Sequence, residues 1–303
     1  FRLIVAALSA CGIKRLKGAP AWNIHLATGD SLLFGSRWDR HGDKKAEQQF
    51  LGTDEESWAP EIYACEDKEA LSEVLGQQYH AVVGNPPYNT VKDKRLNQAY
   101  RDRYSTCHKK YSLSVPFAER FFDLAVKLPN SISGFVGQIT ANSFMKREFG
   151  KKLIEEFLPK IDLTHVVDTS GAYIPGHGTP TVLLFGRNRK PFSDVIRAVL
   201  GIEGEPSTPA NPAEGQVWRS VLRHIDSANS EDRFVSSTDV PRAALGVHPW
   251  SLSGGGASEL KQHLENGRQT LGEISDSIGF MAITGEDAAY VRSRHQWRLH
   301  GTP

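Results

Sequence analysis

Short apolar runs that alternate with amphipathic segments constrain the fold of this chain more than any other feature. HAVVG (80–84), GFVGQIT (134–140) and TPTVLLFGR (179–187) each have the length and composition of a buried strand. Between the first two, SVPFAERFFDLAVKL (114–128) has helical spacing with one apolar face, formed by Phe117, Phe121, Leu124, Ala125 and Leu128. This alternation predicts an α/β fold with a doubly wound, mostly parallel sheet that is covered on both faces.

Four further segments have weaker patterns. We expect NIHLATGDSLL (23–33) to be a strand that ends in a loop with Gly29 and Asp30, and LTHVVDTS (163–170) to be a strand. We expect helices in EDKEALSEVLGQQY (66–79) and SFMKREFGKKLIEEFL (143–158). In sheets of this kind a ligand binds beyond the carboxyl ends of the strands. Asp30 and the residues after Gly84 both follow predicted strands in this sense, so we expect them to share one cleft.

The strand at 80–84 ends in an unusual turn, GNPPYN. Pro commonly ends a strand and Asn favours turns, so most Asn-Pro pairs mark only a loop. Two successive prolines, Pro86 and Pro87, also fix φ, keep Asn85 extended and remove two N–H donors. The result is a rigid arm with two acceptors, the side-chain oxygen of Asn85 and the carbonyl of Pro86, and with the ring of Tyr88 beside them. Such an arm suits the binding of an amino group.

The chemistry of amino groups explains why two acceptors would be useful. An amino group on a nucleobase is a poor nucleophile, because its lone pair is delocalised into the ring. Two acceptors on its hydrogens localise the lone pair and direct it at an electrophile. Stacking on Tyr88, at ~1–3 kcal/mol per base, would help to offset the few kcal/mol that flipping a base out of a duplex requires. A carboxamide nitrogen poses the same problem, so the four residues alone leave both substrates open.

The sequence NPPY after a hydrophobic strand resembles the fourth motif of the γ-type N6-adenine DNA methyltransferases, which use S-adenosyl-L-methionine. The resemblance implies a class I, Rossmann-like methyltransferase fold in which Asn85 and Pro86, stiffened by Pro87, bind the adenine N6. It also implies that Tyr88 stacks on the flipped base. The longer runs of the chain are most similar to the methyltransferase component of BREX phage-defence systems.

A second stretch resembles another motif of the same family. ATGDSLL (27–33) is similar to the third motif, whose acidic residue contacts the adenine of the cofactor. The resemblance therefore implies that Asp30, with Ser31 as a neighbour, binds S-adenosyl-L-methionine. The family's Gly-rich cofactor loop would lie before Phe1, and the helical spacing of FRLIVAALSACG predicts that the chain starts inside a longer protein. We therefore expect the chain alone to lack part of its cofactor site.

A basic segment with interleaved tyrosines follows the NPPY turn. Seven Lys or Arg residues and two Asp residues lie between 92 and 110, together with Tyr100 and Tyr104. Such a run is compatible with a solvated loop and with contacts to the phosphates and bases of DNA. Lys109 and Lys110 are the candidate DNA-binding residues of this segment.

The glycine-rich sequence PGHGTP (175–180) is a second candidate for contact with DNA. Its lone histidine, His177, has no partner ligand in the sequence, so no metal site is expected there. We interpret the sequence as a loop that borders the base pocket, with Gly178 and Thr179 as candidate DNA-binding residues.

Composition excludes several other classes. Cys11, Cys65 and Cys107 are far apart and form no CxxC pair, which argues against a zinc site and a disulfide scaffold. No stretch approaches the ~20 apolar residues of a membrane helix, and no signal peptide opens the chain. We therefore expect a cytoplasmic protein without a metal or a membrane partner. The formal net charge is +1, so any surface for nucleic acid must be local.

The character of the sequence changes along the chain and suggests three regions. We predict a methyltransferase catalytic domain at 1–189 and a polar linker or insertion, containing Pro and Gly, at 190–257. Residues 258–303 would begin a target-recognition domain for DNA.

The functional prediction is methyl transfer from S-adenosyl-L-methionine to adenine N6 of double-stranded DNA, in a phage-defence or restriction-modification system with possible partner proteins. Two alternatives are open. One is a protein glutamine methyltransferase, which the basic segment and the long insertions disfavour. The other is a catalytically silent DNA-binding subunit of a defence complex, which the intact NPPY disfavours.

Overall fold

The computed structural model describes residues 2–19, 24–33, 67–127, 133–176, 178–252, 254–256, 260, 263–264, 266–269, 271–276 and 279. The chain divides into two compact units, Phe1–Gly255 and Gly256–Pro303. The division between the linker and a target-recognition domain at 257/258 stays a prediction.

The helices and strands of the first unit are as follows. Its described α-helices are α1 Arg2–Ala10, α2 Lys68–Leu75, α3 Lys94–Arg103, α4 Ser114–Leu124 and α5 Gln216–His224. Its strands are β1 Ala81–Gly84, β2 Phe135–Ala141, β3 Asp162–Asp168, β4 Thr181–Arg187, β5 Val195–Gly201, β6 Ser230–Glu231 and β7 Val235–Pro241. In the second unit, α6 spans Leu271–Ile274, and residues 260 and 263–264 are also α-helical. No described helix has the length and apolar character needed to cross a membrane.

The strands form a seven-stranded sheet in the order β1-β2-β4-β3-β5-β7-β6. The β1/β2 and β3/β5 pairs are parallel, and the other four neighbouring pairs are antiparallel. These pairings give β1, β2, β3, β5 and β6 one direction, while β4 and β7 run the opposite way. The predicted α/β fold is confirmed, and most strands share a direction although β4 separates β2 from β3.

Helices pack on both faces of the sheet, as the continuous apolar strands require. Val166 and Val167 are adjacent on β3 and both fully buried, because successive strand residues point to opposite faces. Val166 belongs to the larger core with α4, whereas Val167 packs in a smaller core with Val217 and Val221 of α5. Each such burial stabilises the fold by roughly 1.5–3 kcal/mol.

The predicted helix at 143–158 is interrupted at 146–147 and is not a regular α-helix. The structure has a 3-10 turn at Asn142–Met145 and, after the break, an unbroken helical stretch from 148 to 160. That stretch is 3-10 at Glu148–Gly150, α-helical at 151–152, π-helical at Leu153–Phe157 and 3-10 at Leu158–Lys160. The Met145 carbonyl accepts a hydrogen bond from the N–H of Trp250 at 2.8 Å, which replaces a helical bond. A distant contact therefore overrides the local helical pattern.

The predicted strand at 23–33 is wrong for its described residues. Residues 24–28 form no strand, and the Thr28 carbonyl accepts instead from the N–H of Asp67, just before α2. The segment then turns at 31–33. A strand requires a paired neighbour, and no described strand pairs with this segment.

The polar region at 190–257, predicted to be a linker or an insertion, contributes β5, α5, β6 and β7 to the first unit. β5 is parallel to β3, and β7 pairs with β5 along its whole length. Its described residues therefore extend the sheet that β1 to β4 form.

Candidate active site

The NPPY arm leaves the carboxyl end of β1. Asn85 is exposed, Pro86 is buried and Pro87 is exposed. Just before the arm, a Cβ added to Gly84 would lie 2.4 Å from Cζ of Phe121 on α4. Only glycine allows the ring to pack so closely against the strand, so Phe121 fixes the position from which the arm starts.

Two side chains of the arm contact each other. The hydroxyl of Tyr88 donates a hydrogen bond to Oδ1 of Asn85 at 2.8 Å. Burial raises the pKa of the Tyr88 hydroxyl, so it stays protonated and remains a donor at neutral pH. Oδ1 of Asn85, which the sequence predicts to accept from a target amino group, therefore accepts from the Tyr88 hydroxyl in this structure.

The start of α4 anchors the base of the arm. The Ser112 hydroxyl donates to the Tyr88 carbonyl at 3.0 Å, and the Leu113 N–H donates to the Asn89 carbonyl at 2.9 Å. Ser112 is buried, so its bond to Tyr88 is partly shielded from water. The arm is thus positioned from both ends, by β1 before it and by these two bonds after it.

Asp30 lies in a tight turn with both carboxylate oxygens in use. Oδ1 accepts from the N–H groups of Leu32 and Leu33 at 2.8 and 3.1 Å, as Asx turns do. Oδ2 accepts from the hydroxyl of Tyr100 on α3. The carboxylate is half-buried and has a fixed orientation.

The backbone around Asp30 is anchored from two elements. The Ser31 carbonyl accepts from Nε of Arg120 on α4 at 2.9 Å, and Arg120 is 1% exposed. The Leu32 carbonyl accepts from the hydroxyl of Tyr104, just after α3, at 2.7 Å. Ser31 thus lies beside Asp30 in a loop that α3 and α4 support.

The interleaved tyrosines are not DNA-facing, which corrects the suggestion that they contact bases. Tyr100, Tyr104 and Tyr111 are 5%, 2% and 1% exposed. Their hydroxyls bond within the protein, as described for the first two and with the Asn97 carbonyl at 3.3 Å for Tyr111. Leu96, Tyr100 and Tyr104 are spaced four residues apart along α3 and its C-cap, which is the signal of a buried helical face that sequence reasoning missed.

Arg101 is also engaged within the protein. Its guanidinium donates to the carbonyls of Cys107 and Lys109 and lies 5.0 Å from the ring centre of Tyr111. These contacts shape the loop after α3. Lys109 and Lys110, which the sequence suggests as DNA-binding residues, are exposed in this loop.

A second basic segment lies beside this loop. His108 Nε2 is 3.7 Å from Glu148 Oε1, so the loop contacts the chain that follows β2. Three exposed basic residues of that chain are near the contact: Lys146, Arg147 and Lys151. We call these three residues, with Lys109 and Lys110, the basic edge. Sequence reasoning missed the second half because 142–152 resembled an ordinary amphipathic helix.

Gly178 and Thr179 are exposed in the loop that enters β4. The Pro180 carbonyl accepts from the Asn142 N–H at 3.0 Å, which joins this loop to the carboxyl end of β2. β4 runs antiparallel to β2, so its beginning and the carboxyl end of β1 lie at the same edge of the sheet. Two strand spacings, about 10 Å, separate them. His177 lies outside the described residues.

Comparison with known proteins identifies the family. The sequence profile of the Eco57I restriction-modification methylases matches residues 23–174. The chain is 46% identical over 304 residues to the adenine-specific methyltransferase PglX of Streptomyces coelicolor, covering 95% of this chain and 24% of PglX. It is 32% identical over 94 residues to the type II methyltransferase M.BstVI of Geobacillus stearothermophilus, covering 30% of this chain and 16% of that protein.

Among solved structures, the methyltransferase subunit of a type I restriction-modification system from Streptococcus thermophilus is 12% identical, with a TM-score of 0.39. The alignment covers 56% of this chain and 36% of that one. The chain spans about a quarter of the length of PglX, at 24%. The profile match covers half of the chain and includes the Asp30 loop, β1 and the NPPY arm. The chain therefore belongs to the Eco57I restriction-modification methylase family and has its class I methyltransferase fold.

Proposed function

We propose that this chain is the catalytic part of a site-specific DNA methyltransferase that transfers a methyl group from S-adenosyl-L-methionine to adenine N6. The observation that carries the proposal is the NPPY arm at the carboxyl end of β1, anchored by Gly84, Ser112 and Leu113. A rigid pair of acceptors is what localises the lone pair of an exocyclic amine. The name of PglX, an adenine-specific methyltransferase, supports adenine as the target.

The contact between Tyr88 and Asn85 suggests how the target enters. The hydroxyl of Tyr88 and the N–H of an amino group are both donors, and Oδ1 of Asn85 has two lone pairs, so it can accept from both. If the ring of Tyr88 turns to meet an entering base, its bond to Asn85 is lost at a net cost of about 0.5–1.5 kcal/mol. The ring of Tyr88 then becomes available for stacking, which contributes ~1–3 kcal/mol. The exchange favours the bound base.

Asp30 and its loop fit the adenosine part of the cofactor. The half-buried carboxylate is an acceptor for amino or hydroxyl groups, and Tyr100 with two backbone N–H groups fixes its orientation. Ser31 is next to it, with its carbonyl bonded to Arg120. Bound S-adenosyl-L-methionine supplies an electrophilic methyl group on a sulfonium. No nucleophilic side chain is required of the protein, because the amine attacks the methyl group directly.

Double-stranded DNA is the proposed partner, and the basic edge is the proposed site of phosphate contact. Lys109 and Lys110 are exposed on the loop that leads to Ser112, and Lys146, Arg147 and Lys151 lie on the neighbouring segment. Gly178 and Thr179 border the same edge of the sheet and leave room for a nucleotide backbone, since a Cβ on Gly178 would meet nothing within 4 Å. We further propose a role in a phage-defence or restriction-modification system with other proteins.

The identity of the methylated product tests this proposal. The intact protein that contains this chain is incubated with methyl-labelled S-adenosyl-L-methionine, duplex DNA and cell extract, and the labelled nucleosides and amino acids are identified. We expect label in N6-methyladenine. Label in glutamine of a protein, with none in DNA, would support the protein methyltransferase, and no label in any product would support a silent DNA-binding subunit.

A further inference from the structure

The segment that connects the NPPY arm to α4 starts at the arm and ends in contact with it. Its ends meet where the Leu113 N–H donates to the Asn89 carbonyl at 2.9 Å, next to the bond from Ser112 to Tyr88. We call residues 89–113 the bridging segment. It contains α3, and its two ends are therefore tied to the arm that binds the target base.

The far side of the bridging segment contacts the Asp30 loop through two tyrosine hydroxyls. Tyr100 donates to Oδ2 of Asp30, and Tyr104 donates to the Leu32 carbonyl at 2.7 Å. Both rings are buried, at 5% and 2% exposure, so packing restricts their rotation. The two tyrosines therefore join the target side of the cleft to the cofactor side.

We propose that Tyr100 is a positioning residue that orients the Asp30 carboxylate toward the cofactor, an inference that rests on the proposed function. The N–H groups of Leu32 and Leu33 bond to Oδ1 of Asp30, and the Tyr100 hydroxyl bonds to Oδ2. Contacts on both oxygens restrict rotation of the carboxylate more than contacts on one oxygen do. Such charge-assisted bonds to carboxylates are roughly twice as strong as neutral ones.

The Tyr100→Phe variant of the intact protein tests this role, because it removes the hydroxyl and keeps the ring. We expect the Kd for S-adenosyl-L-methionine, measured by calorimetry without DNA, to rise about tenfold. KM for the cofactor should rise in parallel, while kcat at saturating cofactor should change by less than about threefold.

Tyr111→Phe is the matched control. Tyr111 is equally buried, at 1% exposure, and its hydroxyl bonds to the Asn97 carbonyl and not to the Asp30 loop. Its Kd for the cofactor should stay within about twofold of the wild-type value. A loss of affinity as large as that of Tyr100→Phe would show a general packing effect and overturn the proposal.

A double-mutant cycle separates orientation of Asp30 from a structural role. In an Asp30→Asn background, adding Tyr100→Phe should change the Kd by less than about twofold, because the carboxylate to be oriented is gone. The same loss in both backgrounds, or wild-type affinity for Tyr100→Phe alone, overturns the proposal. A wild-type protein that binds no S-adenosyl-L-methionine would overturn the proposed function as well.

Discussion

Gly84 is the residue at which the arm and α4 come closest. A Cβ there would lie 2.4 Å from Phe121, so Gly84→Ala must displace the ring or the strand end. Overpacking of this kind costs about 1–3 kcal/mol, and a shift of the arm misplaces Asn85. We expect methyl transfer by Gly84→Ala to fall by about tenfold or more, with a lowered Tm.

A second substitution and a control test the steric cause. Gly84→Ala combined with Phe121→Leu should recover part of the activity, because the smaller side chain makes room for the Cβ. Gly246→Ala, where a Cβ would make only an ordinary contact of 3.9 Å with Cγ of Pro159, should match the wild type in both assays. Wild-type activity and Tm for Gly84→Ala would contradict the role assigned to this contact.

Cys107 illustrates how burial controls a reactive group. Burial raises the pKa of its thiol to about 12, so at pH 8 only about one molecule in ten thousand carries the reactive thiolate. Cys11 is exposed. We expect iodoacetamide to label Cys11 in the folded protein and Cys107 only after unfolding, as peptide mass spectrometry would show. Equal labelling rates for the two thiols would contradict the burial of Cys107.

At the scale of elements, Asp232 joins α5 to the β6–β7 turn. Burial disfavours its charged carboxylate, but the Ser220 hydroxyl, the N–H groups of Phe234 and Val235 and the nearby His224 outweigh it and lower the pKa to about 2. A carboxyl whose pKa is lower in the folded state stabilises the fold above its unfolded pKa of 3.8. That contribution is lost as the pH falls through about 2.

The Asp232→Asn variant tests this arrangement by denaturant unfolding at several pH values. At pH 7 we expect it to lower the free energy of unfolding by about 2 kcal/mol, since hydrogen bonds to a charged group are lost. The wild type should lose this advantage between pH 4 and 2, so the two unfolding curves should converge in acid. A constant difference over this range would contradict the pKa shift.

The hydrophobic pattern of the sequence predicts helices and strands well where neighbouring residues alone determine the structure. β1, β2, β4 and α4 follow directly from apolar runs and helical spacing, and the turn after Gly84 follows from its prolines. The break at 146–147 in the predicted helix 143–158 was missed, because it follows Met145, whose carbonyl bonds to Trp250 far along the chain. Asp30 could be singled out from its motif, but its partner Tyr100 lies 70 residues away and no local pattern links them.

At the scale of the whole molecule, the basic edge is a local group of exposed positive charges on a chain of nearly balanced charge. The chain has a formal net charge of +1, whereas the basic edge combines five exposed Lys or Arg residues near the NPPY arm. Each phosphate contact contributes about 0.9 to the slope of log K against log salt for duplex DNA. Replacement of Lys109, Lys110 and Lys146 by Gln in the intact protein should therefore reduce that slope by up to about three.

A charge-matched control lies at the opposite edge of the sheet. Lys127 and Lys160 are exposed before β2 and β3, and Lys190 is exposed after β4. Replacing these three by Gln should leave the salt slope of DNA binding within experimental error of the wild type. Equal slopes for the two triple variants would contradict phosphate binding at the basic edge, whatever the methylation activity.

The central claim is that the side-chain oxygen of Asn85 positions the target amine. The most direct measurement is the single-turnover rate of methyl transfer to duplex DNA by the intact protein, for the wild type, Asn85→Ala and Asn89→Ala. Asn89 is an exposed asparagine four residues along the chain, and the bond to Leu113 uses only its backbone carbonyl. We expect Asn85→Ala to lose about 10²–10³ in rate, with cofactor and DNA affinities within about twofold of the wild type, and Asn89→Ala to retain the rate. Methyl transfer to adenine by Asn85→Ala at the wild-type rate would contradict the account.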